Sequence, residues 1–129
     1  VNETPRSALA CARAGAEAIR ALNHATLTPG PEAEFEYPAD ACAVVGALVE
    51  LAARLPQAID QVHDLIRRSN AAGELRHDSG NPADFPVTLA ALVGAAEWSR
   101  DNADLLHTSL SDMHNTLARL GHTGGDDPW

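Results

Sequence analysis

Apolar residues recur along the C-terminal half of the chain in unbroken steps of four and three. The series is Phe85, Leu89, Leu92, Ala96, Ser99, Ala103, Leu106, Leu110, Met113, Leu117 and Leu120. A seam of that period marks a helix that packs along another helix. It predicts a helix over 83–120, capped by Asn81 or Asp84 and stopped by Gly121. At ~1.5 Å per residue such a helix is about 54 Å long.

A second seam runs through Ala41, Val44, Leu48, Leu51, Leu55, Ile59, Val62 and Ile66. It predicts a helix over 38–72, with Pro38 in its first turn and Gly73 as its stop. Pro56 lies inside it. A proline there removes one backbone hydrogen bond and crowds the preceding turn, so the pattern predicts a kink or break near residue 56. A full break would give four helices rather than three.

The first helix is predicted over 5–24. Thr4 is its cap and Pro5 its first residue, and Leu9, Ala12, Ala16, Ile19 and Leu22 or Asn23 form a small, alanine-rich face. Between the first two helices, Glu32, Glu34 and Glu36 alternate with Ala33, Phe35 and Tyr37. That alternation predicts a short extended strap with one apolar edge, covering an end of the core. Residues 73–82 form a polar connector. Residues 121–129 read as a solvated tail, and Trp129 at its end as a solvated residue rather than a docking peptide.

The expected architecture is all-α: one domain, 1–129, built as an antiparallel bundle of three long helices with coiled-coil-like packing. Folding the second helix back on the third sets Leu48 level with His107 and Pro56 level with Ser99. The first helix then covers only half of this hairpin, over 38–55 and 99–120. The remaining arm, 57–72 and 83–98, carries Ile59, Val62, Leu65, Ile66, Phe85, Leu89, Leu92 and Val93 with nothing to cover them. Each large aliphatic side chain left in water forfeits roughly 1.5–3 kcal/mol. The arm is therefore the expected interface, with Ile59, Val62, Ile66, Phe85, Leu89, Leu92 and Val93 as its residues.

Charge narrows the partners. The formal net charge is −9, and all nine basic residues are arginine. They are scattered, with only Arg67 and Arg68 adjacent. Nucleic acid and anionic membrane surfaces are disfavoured, because both reward a basic patch. No apolar run approaches ~18 residues, and no signal peptide opens the chain. Cys11 and Cys42 are too few for a disulfide framework. The expectation is a cytoplasmic protein with free thiols.

Candidate chemistry is sparse. Asp60/His63 and Asp104/His107 each place a carboxylate and an imidazole three apart on a helix face. The antiparallel register sets the two pairs ~22 Å apart at helical rise, so they read as solvated polar faces. Glu74 and His77 share the spacing, but in the connector. The register does bring His24, Asp40, Cys42, His114 and His122 to one end of the bundle. These are zinc-type donors without a recognised ligand spacing, and they rank as weak metal candidates. Trp98 and Leu105 lie seven apart beside small residues that include Ser99. That grouping could line a small-molecule pocket. No placed base supports a serine or cysteine nucleophile, and no glycine loop precedes a helix to cradle phosphate.

The leading expectation is thus a non-enzymatic interaction or scaffold bundle without a cofactor. It self-associates as a dimer or docks on a protein partner. A ligand-sensing bundle with a pocket near Trp98 comes second. A metal-binding protein using His24, Cys42 and His114 comes third.

Overall fold

A computed structural model describes residues 7–123. Thr4, Pro5 and the tail residues 124–129, Trp129 included, lie outside that range. The chain is an all-α helical bundle of three helices: α1 (Ala8–Ala25), α2 (Pro38–Ala71) and α3 (Asp84–Leu117).

Local chemistry sets the helix ends. Ser7 caps α1, its hydroxyl accepting the Ala10 N–H at 3.1 Å. At the start of α2, the Asp40 carboxylate reaches back and accepts the N–H groups of Glu36 and Tyr37 at 2.9 and 3.0 Å. α2 ends on Gly73, whose φ of 71° only glycine adopts cheaply. The Gly73 N–H donates to Asn70 O and the Glu74 N–H to Ser69 O, both at 3.0 Å. That pair of bonds satisfies carbonyls the last helical turn would otherwise orphan. Before α3, Asn81 Oδ1 accepts the Ala83 N–H at 3.0 Å, and the Ser79 hydroxyl donates to Asp84 at 2.7 Å.

Two features differ from the sequence expectation. α2 runs through Pro56 without the full break, so the second of the two expected alternatives, a fourth helix, does not form among the described residues. Packing along the hairpin outweighs the one lost backbone bond. The segment before α2 is also not an extended strap. Gly30 and Phe35 exchange backbone hydrogen bonds at 2.9 and 3.2 Å around a 3₁₀ turn, Pro31–Ala33. Glu34 sits in the left-handed region with φ 52°. The alternation of Glu32, Glu34 and Glu36 therefore reflects a tight turn and not a strand.

Most of the packing belongs to the α2–α3 hairpin, and α1 rests on it only lightly. No residue of α1 is buried, and within it only Ile19 and Leu22 are half-buried. The expected shielding of 38–55 and 99–120 by the first helix does not occur. Among the described residues the buried hydrophobics are Val45, Ala52 and Ala103. Ala52 is 0% exposed and Ala103 7%. Two of these three buried residues are thus alanines, one on each helix of the hairpin.

Both seams are rotated from the expected rows. In α2 the packed row is Cys42, Val45, Val49, Ala52, Pro56, Ile59, His63 and Ile66, all buried or half-buried in steps of three and four. Val44, Leu48, Leu51 and Leu55 flank it. In α3, Phe85, Leu89, Ala96, Ala103, Leu110 and Leu117 pack as expected. Leu92, Ser99, Leu106, Met113 and Leu120 are exposed, and Val93, His107 and His114 are half-buried.

Candidate interaction face

Three contacts fix the register between α2 and α3. The Cys42 thiol points at the His114 carbonyl, 3.9 Å away. Arg100 Nε meets Asp60 Oδ2 at 3.0 Å. A Cβ on Gly46 would stand 3.2 Å from His114 Nε2, so glycine at that position admits the imidazole. The expected level of the two helices holds to within about one turn, allowing for the reach of arginine.

This register gives the hairpin two unlike sides. Residues seven apart on a helix share a side, so each row can be followed along its length. On one side α2 carries Val44, Leu48, Leu51, Leu55, Ala58 and Val62. On the same side α3 carries Leu92, Ala95, Ser99, Asn102, Leu106, Ser109 and Met113. None of these is charged. The opposite side holds Asp60, Asp64, Arg67, Glu97, Arg100 and Asp104, with Asp60 and Arg100 paired across the hairpin.

The uncharged side is open. Val62 is 67% exposed, Met113 51% and Leu106 45%. Near the connector it sinks into a groove of about 360 Å³ lined by Ala58, Ile59, Val62, His63, Ile66, Leu92, Ala95, Ala96 and Ser99. His63 lies at the floor. Its Nε2 is out of contact with solvent and has no hydrogen-bond partner. A buried hydrogen-bonding atom without a partner is costly, so this nitrogen is the one strained feature of the groove.

The expected interface residues divide. Ile59, Val62, Ile66 and Leu92 line the groove. Phe85 belongs instead to a second hollow of about 390 Å³ at the connector, with Leu75, His77 and Pro82. Leu89 and Val93 are half-buried in the hairpin. The expected ligand residues also separate. Ser99 lines the groove, while Trp98, at 71% exposed, and Leu105 lie on another row and do not.

The weak metal candidates do not form a site. Among the described residues no group of three or more histidine, cysteine, aspartate or glutamate side chains is placed to hold an ion. His24 is exposed in the last turn of α1. Asp40 is taken up by two backbone N–H groups, of Tyr37 first and then Glu36, which hold its carboxyl below the usual value. Cys42 faces a backbone carbonyl. His122 meets the edge of the Tyr37 ring, with centroids 5.1 Å apart. The end-to-end register brought these residues to one level, but their side chains point to separate partners.

The groove histidine and the rotated rows escaped the sequence. Periodicity gives the spacing of a seam but not which of two neighbouring rows faces inward, and only the alanine content of the central rows hinted at the rotation. One further signal runs against the expectation that no apolar run approaches about 18 residues. α2 is long and apolar enough, by length and composition, to cross a membrane, although its apolar stretch is interrupted by Glu50 and Arg54.

No known protein family, characterised protein or solved structure matches the chain.

Proposed function

We propose that this protein is a non-enzymatic helical interaction module, docking through the uncharged side of its α2–α3 hairpin on a partner protein or a second copy of itself. The observation that carries this reading is an apolar surface running the length of the hairpin beside a core of few buried residues. Contiguous exposed apolar surface of that extent marks a contact site in soluble proteins. The interface is thus larger than the arm expected from sequence, because α1 leaves the other half of the hairpin open as well.

Electrostatics favour a protein partner. A net charge of −9 with scattered arginines opposes nucleic acid and anionic lipid. A membrane-crossing α2 would carry Glu50 and Arg54 into the bilayer, at about 2.5–3.5 kcal/mol for a central charge such as arginine. The thiols of Cys11 and Cys42 are free, which fits a reducing, cytoplasmic setting. Ligand sensing near Trp98 draws no support from a tryptophan that stands outside the groove.

A charge scan tests the reading. Leu48→Glu, Leu106→Glu and Met113→Glu on the apolar side should abolish association while leaving the helical circular dichroism intact. Glu97→Gln on the polar side should leave association unchanged. Association that survives all three apolar-side variants would remove the proposal.

A further inference from the structure

Resting on that docking reading, we infer that the occupant of the apolar side is a second copy of this chain. The two hairpins pack about a two-fold axis that sets their connectors at opposite ends. Area is the first argument. The chain exposes 9947 Å². A compact monomer of 13.6 kDa exposes about 6,600 Å². The twelve residues outside 7–123 are too few to close that gap. Obligate dimers bury about 2,000–5,000 Å² in total, or about 1,000–2,500 Å² from each chain, so one such interface takes up a large part of the excess.

Shape is the second argument. The half of the apolar side near the connector is hollow, because Ala58, Ala95 and Ser99 are small. The other half is filled by Leu48, Leu106 and Met113. A two-fold axis level with Ala53 and Ala103 places Leu106 of one copy opposite Ser99 of the other. It also places Met113 opposite Leu92 and Leu48 opposite Ala58. Leu106 on Ser99 and Leu48 on Ala58 each set a large side chain against a small one, and the two-fold axis repeats both pairings, as a closed isologous interface does. Every neighbouring helix in the resulting four-helix arrangement is antiparallel.

Charge is the third. Two copies each at −9 repel, but the apolar rows contain no ionisable residue, so no like charges are forced together in the contact. A second hairpin supplies an apolar surface of matching length.

The test pairs solution mass with one distance. Asn115→Cys in a Cys11→Ser, Cys42→Ala background carries a spin label on the polar side of α3. With connectors at opposite ends, helical rise sets the two labels of a dimer roughly 40 Å apart. Asp101→Cys, near the axis, should give a much shorter distance in the same dimer and covers a failure of the first variant. A dimer showing the long and the short distance is the expected result. A dimer with both distances short puts the connectors at one end and overturns the inferred geometry, leaving the docking reading intact. A monomer at every concentration overturns the second copy as occupant. The docking reading then stands or falls on the charge scan against a different protein.

Discussion

Replacing His63 by leucine should stabilise the protein. Most core substitutions destabilise, so the sign is the informative part. The imidazole lies at the groove floor among Ile59, Val62, Ile66 and Leu92, and its Nε2 has neither solvent nor a partner. In either neutral tautomer that nitrogen leaves a hydrogen-bonding site idle. An idle buried polar atom costs about 1–3 kcal/mol. Leucine is close in size, removes the idle atom and adds apolar contact with α3. The expected gain is therefore about 1–3 kcal/mol in urea unfolding, followed by circular dichroism. His63→Gln, which retains a polar end, should give little of it. Both variants must be compared at one protein concentration, because association contributes to apparent stability. A leucine variant no more stable than the parent would show that Nε2 is satisfied in solution, by water or a partner, and would refute the reasoning.

Other perturbations follow from the same contacts. Ala52→Leu forces a large side chain into a site where alanine is already fully buried. It should cost about 1–3 kcal/mol in the same urea assay. The Asp40 carboxyl titrates below its ordinary value in the folded chain because of the Tyr37 and Glu36 N–H groups. Its contribution is therefore present above the unfolded pKa and lost as pH falls through the folded one. The stability gap between the parent and Asp40→Asn should be full near neutrality and close in acid, with melting against pH as the measurement. Gly73→Ala should lower the melting temperature, because alanine at φ 71° costs roughly 1 kcal/mol. Raising ionic strength from about 0.01 M to 0.15 M shortens the screening length from ~30 Å to ~8 Å. It should tighten association between two acidic copies, as read by sedimentation; weakening with salt would point to an oppositely charged partner.

The helices were legible because their signals are local. The heptad in α3, Pro38 at the start of α2 and Gly73 at its end each act over a few residues. The antiparallel register was legible too, since a short connector leaves little freedom. The rotation of the seams was not. Leu92, Leu106 and Met113 look like core by size, yet the hairpin half-buries Val93, His107 and His114 in their place. Glu32–Glu36 misled for a related reason: period-two alternation carries no sign of the left-handed Glu34. The partial charge pairing of Asp60 with Arg100 was within reach of the register, but His63 was not. Whether a buried nitrogen finds a partner depends on side-chain placement across two helices. The polar end with Cys42 and His114 shows the same limit, since residues at one level need not point at one another. Nothing in the hairpin accounts for the exposure of Trp98 and Leu105.

The most direct test of the apolar side as an interface is light-scattering mass for the parent and for Leu106→Glu, over a range of concentrations. The account predicts twice the chain mass for the parent and the single-chain mass for the variant, with helicity unchanged. The same mass for both proteins would contradict it.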